Sequence, residues 1–170
     1  LTSLALLVAE ELEVEFTQVR SEHAAADAAR YGQWRTGGSS SVRANYEAYR
    51  KAGALARAML VDAAARRWRV DGKTCRAERG EVVHDATGRR LAYGALAEAA
   101  AKLAPPKSVA LKPRSQYRLI GKDVRRLDTP AKVDGSAVFG IDVRVPGRLV
   151  AQVERPGPAC PFTSTAVYRL

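Results

Sequence analysis

The sequence predicts an α+β protein, with helices packed on short β-strands and a second, strand-containing module behind them. Three observations predict it. Between residues 42 and 67 apolar residues advance in alternating steps of three and four, the spacing of one face of a long helix. Short β-prone runs punctuated by turn residues occupy 74–91 and again 136–154. Between these regions "PPKSVALKPRSQ" breaks all periodicity with three prolines and three basic residues, the composition of an extended linker.

Element by element, Leu1, Leu4, Ala5, Val8 and Leu12 stand at helical spacing and predict a first helix that packs its apolar stripe inward, closed by "AEEL". Val14 to His23, "VEFTQVRSEH", alternates imperfectly, but its β-branched content predicts a strand. Ala24 to Tyr31 is alanine-rich and reads as a helical turn or as loop. "TGGSSS" (36–41) cannot be ordinary helix or strand, since glycine frees the backbone and serine competes for nearby amides. It is either a flexible connector or a cradle whose amides and hydroxyls hold an anion at the positive end of the next helix.

That helix is marked by Val42, Tyr46, Tyr49, Gly53, Ala56, Leu60 and Ala63 and reaches about Arg67, roughly 40 Å at ~1.5 Å per residue. Its alanines and Gly53 permit a close neighbour. Arg43, Arg50, Lys51, Arg57 and Arg66 flank the stripe, as a solvated side or as a face for nucleic acid. Turns at Asp71-Gly72, Gly80 and Thr87-Gly88 bracket strands at 74–78 and 81–84, a small antiparallel unit. A helix over 94–103 stops at Pro105-Pro106, and a domain boundary is expected near 104–117. Beyond it, strands are expected over Ser136–Val143 and Arg148–Glu154, and the last fifteen residues, "PGPACPFTSTAVYRL", are expected to be irregular and outside any packed core.

Composition narrows the function. With 170 residues and 46% hydrophobic content the chain can bury a core, and a net charge of +10 raises the question of a polyanionic partner. The bases are scattered, however, with no basic run and only 6% aromatic residues for stacking. Cys75 and Cys160 form no CxxC pair, and His23 and His84 are isolated, which argues against protein-ligated zinc. GxGxxG, GxxxxGK[ST] and GxSxG are all absent. No apolar run approaches the ~20 residues of a membrane span. Leu1 in place of Met, followed at once by an apolar helix, leads us to expect that the chain begins inside a larger protein.

Taken together, "LALLVAEELEV", "TGGSSSVRANYEAYRKAGALARAML", "YGALAEAAAKL" and "RLIGKDVRRLDTPAKVDGSAVFGIDVRVPGRLVAQVER" resemble, in that order, the molybdopterin-binding large subunit of isoquinoline 1-oxidoreductase and aldehyde dehydrogenase type, within the xanthine dehydrogenase and aldehyde oxidase superfamily. The resemblance runs from residue 1 to about 155. It implies a partial molybdopterin-binding domain over 1–104, a linker over 105–117, the start of an α/β-hammerhead domain over 118–155, and a non-matching tail over 156–170. It also implies that Thr36, Gly37, Gly38, Ser39 and Ser41 lie against the cofactor, molybdenum bound to molybdopterin in its cytosine dinucleotide form.

The family implies further parts that this chain lacks. A Gly-Gln-Gly motif precedes the first helix in family members, and the general-base glutamate lies much farther along. Glu10, Glu11, Glu13, Glu22 and Glu47 match no such motif, and each is expected to be a surface carboxylate. No catalytic residue and no metal ligand is therefore assigned. The expected partners are the rest of the large subunit and an iron-sulfur small subunit, with no specific nucleic acid and no membrane span, in a bacterial cytoplasm or periplasm. The complete enzyme would oxidise N-heterocycles or aldehydes with oxygen derived from water, and the chain alone would be inactive. A basic helical module that binds nucleic acid, or a fragment with no independent function, are the alternatives.

Overall fold

The computed structural model describes residues 2–32, 37–154 and 164–168, with 150–154 and 164–168 described as backbone only. Helices, turns and a small antiparallel sheet are present, as expected of an α+β chain. Two compact units are resolved, 1–129 and 130–170.

In the first unit, α1 (Thr2–Leu12) packs on the long α3 (Ser40–Trp68), which spans about 43 Å at ~1.5 Å per residue. The two approach closely at Gly53: a Cβ placed there would lie 2.5 Å from the Val8 carbonyl oxygen and 2.9 Å from Glu11 Cβ. The expected inward stripe of α1 is only half-buried, and the buried residues are Leu7, Ala9, Glu10 and Glu11 instead. Two carboxylates displace the apolar stripe because the fold supplies them with partners, described below.

Both helices end alike. Glu13 (φ 57) and Arg69 (φ 57) adopt left-handed backbone, and the N–H groups of Val14 and Val70 donate to the carbonyls of Ala9 and Ala65 at 3.3 and 3.0 Å. This is a Schellman closure made without glycine. The chain leaving α1 does not form the strand expected over 14–23. It makes one 3-10 turn, Phe16–Gln18, because no strand among the described residues pairs with it; the Gly80 N–H donating to the Glu13 carbonyl at 2.8 Å and the Arg79–Glu15 ion pair at 3.3 Å tie it to the β1–β2 turn. Phe16 anchors it by burial. A short helix, α2 (Ala28–Tyr31), follows, capped by the Asp27 carboxylate accepting from the Arg30 N–H.

The sheet is a meander of β1 (Cys75–Glu78), β2 (Glu81–His84) and β3 (Arg90–Ala92), paired antiparallel in that order. Arg79 and Gly80, at φ 49 and 87, form the tight β1–β2 turn, in the sense that matches strand twist. Val82 lies at the centre of the core with Leu60, Ala63 and Ala64 of α3 and with Leu96 and Ala100. The helix expected over 94–103 is shorter, because Tyr93–Ala95 forms a 3-10 turn and only α4 (Ala97–Ala101) is α-helical. The Tyr93 hydroxyl donates to the Leu12 carbonyl at 2.7 Å, and burial pushes its pKa far up.

Residues 105–117 lack regular structure apart from one 3-10 turn, Arg114–Gln116. They do not hang free as a linker: Lys112 is buried among α1 and α3, and the first compact unit continues to Thr129.

A short helix, α5 (Thr129–Val133), starts on the last residue of the first unit, and the second unit contains a two-stranded antiparallel sheet, β4 (Val150–Glu154) with β5 (Ser164–Tyr168). The strand expected over 136–143 is absent, and Gly140–Asp142 forms a 3-10 turn. The expectation of a wholly irregular tail is corrected by β5, whose residues pair from Ser164↔Glu154 to Tyr168↔Val150. Cys160 and the remaining tail residues lie outside the described residues.

Candidate functional site

The segment ahead of α3 turns sharply. Gly38 (φ 60) and Ser39 (φ 51) are both left-handed, and the Ser40 N–H and hydroxyl donate to the Gly37 carbonyl at 3.4 and 2.8 Å. A non-glycine residue at positive φ is uncommon, and strain of that kind gathers at functional segments. Ser39 occupies the N-cap position, yet its side chain makes no capping bond. The first amides of a helix have no intrahelical acceptor, so the start of α3 favours an external anion.

Gly37, Gly38, Ser39 and Ser41 are exposed, and among the described residues no atom lies within 4 Å of a Cβ built at either glycine. The space over the backbone is open on the side where another group would approach. Thr36, the fifth predicted residue, lies outside the described residues. The described residues fit one edge of a flat, anionic cofactor: exposed backbone, two free-standing hydroxyls and a helix start. They form no enclosed cavity.

A second polar recess, missed in the sequence, lies at the start of α1. Thr2, Ser3, Leu6, Lys122, Val124, Arg126 and Asp128 line a cavity of about 450 Å³. Arg126 is held there by Asp128 at 3.1 Å. Lys122 and Asp128 are remote from α1 in sequence, so no local pattern marks the recess.

Glu10 and Glu11, expected on the surface, form the ionic centre of the unit. Glu10 accepts from Lys112 Nζ at 2.5 Å and from the backbone N–H groups of Arg118, Leu119 and Ile120 at 3.0, 2.7 and 2.9 Å. Burial pushes its pKa up, but Lys112 and the three amides outweigh burial and hold it below the ordinary carboxylate range. Glu11 accepts from Arg50 Nη2 at 2.6 Å and from the Lys112 N–H at 3.1 Å. Arg50 also donates to the Lys112 carbonyl at 2.6 Å and lies between the rings of Tyr46 and Tyr117, 5.3 and 5.0 Å from their centroids. Burial lowers the Arg50 pKa and the Glu11 carboxylate raises it further, leaving it above its usual value.

These carboxylates are saturated with donors, so they clasp the 112–120 segment onto α1 and have no oxygen left for proton transfer. Glu13 and Glu15 extend the clasp through Arg118, at 2.9 and 2.6 Å. Four of the six cations of α3 are likewise ion-paired: Arg50 and Arg57 with Glu11, Lys51 with Glu47, and Arg66 with Asp62. A helix face offered to phosphate needs unpaired bases, so the nucleic-acid reading is not favoured. Among the described residues no cluster of His, Cys, Asp or Glu has the arrangement of a metal site, and no helix is long and apolar enough to cross a membrane.

Comparison with known proteins identifies the class. A family model described as "Molybdopterin cofactor-binding domain" matches residues 1–145, and the chain belongs to that family. The beta subunit of isoquinoline 1-oxidoreductase from Brevundimonas diminuta is 36% identical over 90% of this chain and 25% of its own length. The membrane-bound aldehyde dehydrogenase [pyrroloquinoline-quinone] of Gluconacetobacter polyoxogenes is 34% identical over 91% of this chain and 20% of its own length. One nicotinate dehydrogenase subunit from Pseudomonas putida is 33% identical over 91% of this chain and 13% of its own length. The chain thus spans a quarter or less of the curated relatives it matches.

Proposed function

We propose that this chain contributes one wall of the cofactor site in a molybdenum hydroxylase large subunit, with Thr36, Gly37, Gly38, Ser39 and Ser41 along the edge of molybdopterin in its cytosine dinucleotide form. The observation that carries the proposal is the match of residues 1–145 to a molybdopterin-binding family, together with the exposed, left-handed Gly38-Ser39 turn at the start of α3. Gly37 and Gly38 admit a planar group to the backbone. The hydroxyls of Ser39 and Ser41 and the first amides of α3 hold its anionic edge, and the α3 macrodipole favours that charge. The bound cofactor would supply the two-electron oxidation of an electron-poor carbon.

In the complete subunit the substrates are N-heterocycles or aldehydes, oxidised with oxygen from water, and an iron-sulfur small subunit takes the electrons. Residues 1–104 belong to the cofactor-binding domain, 105–117 connect it, and 118–155 begin an α/β-hammerhead domain. Glu10 and Glu11 hold the 112–120 segment in place and take no part in the chemistry. The test replaces the matching segment of the Brevundimonas diminuta subunit with residues 1–145 of this chain and measures molybdenum and pterin per subunit. Replacing Ser39 and Ser41 together by alanine should lower both while leaving the fold unchanged by circular dichroism. Undiminished cofactor in the double variant would show that the loop only connects.

A further inference from the structure

Cys75 and His84 face each other across the β1–β2 hairpin, and the functional reading above uses neither. The two-residue turn at Arg79 and Gly80 pairs Glu78 with Glu81 and so sets Cys75 opposite His84. The Asp85 N–H donates to the Thr74 carbonyl at 3.0 Å, which makes that rung a hydrogen-bonded one and the adjoining Cys75–His84 rung a non-hydrogen-bonded one. Side chains on such a rung stand closest, with Cβ atoms about 4.5–5.5 Å apart. Both lie on the face of Val82, toward α3, because 82 and 84 share one face of β2 and are paired with 77 and 75.

His84 is 6% exposed. Its Nδ1 lies 2.7 Å from the Thr87 hydroxyl and its ring 6.2 Å from that of Trp68, contacts that fix the imidazole in place. Nε2 has no hydrogen-bond partner among the described residues. Since none of their fully buried polar side-chain atoms lacks a partner, Nε2 keeps a narrow contact with solvent. The Cys75 thiol is free and half-buried, and it is engaged only weakly, 4.0 Å from the Asp71 carbonyl oxygen. A histidine kept only to close the 85–89 turn needs Nδ1 and has no use for Nε2.

We propose that Cys75 Sγ and His84 Nε2 form a two-donor site for a soft monovalent cation, Cu(I). A thiolate selects soft metals, and a neutral imidazole completes the pair with its Nδ1 tied to another group, as ligating histidines ordinarily are. The described residues bring no third His, Cys, Asp or Glu to the pair, too few for zinc, which takes three or four protein ligands, and enough for Cu(I), which binds through two. The carboxylates of Asp71 and Asp85 are otherwise engaged, the first accepting from the Lys73 N–H at 2.9 Å and the second from Arg76 at 2.7 Å. Binding exchanges the thiol S–H bond for an S–Cu bond and releases the proton to water, with no electron transferred. Both donors come from one hairpin inside the first unit, so the site needs neither the cofactor loop nor any further chain.

The test titrates the 170-residue chain with Cu(I) under nitrogen, against the chromophoric chelator bicinchoninate, in a background of Cys160→Ser that removes the other thiol. One Cu(I) per chain should bind. Cys75→Ser, which keeps the size of the side chain and removes the sulfur, should weaken the affinity at least ~100-fold. His84→Asn, which keeps a polar atom for Thr87 and removes Nε2, should weaken it at least ~10-fold. Circular dichroism checks that each variant folds, and X-ray absorption at the copper edge of the parent chain should show one sulfur and one nitrogen neighbour, which reads the site even where His84→Asn fails to fold. Absence of Cu(I) binding overturns the proposal. So does undiminished affinity in Cys75→Ser or in folded His84→Asn, or a copper shell that contains sulfur and no nitrogen.

Discussion

Replacing Glu10 by glutamine should cost more stability than any single surface change in the chain. The carboxylate is 1% exposed and accepts from one ammonium and three consecutive backbone amides. Glutamine keeps a single acceptor oxygen and turns an amide NH₂ toward groups that are all donors. Breaking a buried, hydrogen-bonded ion pair costs about 3–5 kcal/mol. Lys112 retains Glu13 at 2.8 Å, which places the loss at the lower end, about 3–4 kcal/mol. For a unit of this size that corresponds to a fall in Tm of roughly 12–16 °C, at about 4 °C per kcal/mol. Thermal unfolding followed by circular dichroism at neutral pH measures it, with Glu47→Gln as the control, since Glu47 is exposed and pairs with Lys51 one turn along the same helix. A fall of less than about 3 °C for Glu10→Gln, or an equal fall for the control, would refute the reasoning.

The same carboxylate predicts a pH dependence. Its pKa is held below the ordinary carboxylate value in the folded chain, so its contribution is complete above that ordinary value and disappears as pH falls through the lowered one. The gap in Tm between wild type and Glu10→Gln should therefore narrow on acidification below about pH 4.3; a constant gap down to the lowest pH would contradict it. Gly53→Ala should destabilise by about 2 kcal/mol, because its Cβ would meet the Val8 backbone at 2.5 Å and overpacking outweighs the gain in helix propensity. An unchanged urea midpoint would show that α1 moves aside without cost. Deleting residues 156–170 should leave the Tm of unit 1–129 unchanged yet speed amide exchange over 150–154, where β4 loses β5; unaltered exchange there would show that this pairing is not maintained. The chain alone, expressed in a host that makes the cofactor, should show no dye-linked oxidation of isoquinoline or simple aldehydes; turnover above background would require a complete active site within these residues.

What the sequence made legible was local in origin. The stripe from Val42 to Ala63 marks α3 because one face of a long helix repeats every 3.6 residues, and Gly53 in that stripe marks the close crossing. Gly80 and Gly88, both at positive φ, mark the turns of the meander. The illegible parts depended on residues distant in the chain. Glu10 and Glu11 carry no local sign of burial, since their donors come from Arg50, Lys112 and residues 118–120, from 39 to 110 positions away. The strand expected over 14–23 failed because β-branched content describes a residue's fit to a sheet and cannot supply the neighbouring edge. The ends of α1 and α3 were legible to within a residue or two, but their left-handed closures at Glu13 and Arg69 were hidden because that position is filled without glycine. At the candidate site the glycines and serines of 37–41 were visible as a break in pattern, whereas the recess lined by Thr2, Lys122 and Arg126 was not.

The central claim is that the Gly38 backbone lies against a cofactor, and one comparison tests it most directly. Gly38 and Gly88 both have positive φ, 60 and 69, and among the described residues neither has an atom within 4 Å of a built Cβ, so valine imposes the same local strain at each. In the subunit carrying residues 1–145 of this chain, molybdenum and pterin content should fall several-fold in Gly38→Val and stay at the parent level in Gly88→Val. Equal cofactor content in the two variants would contradict the account.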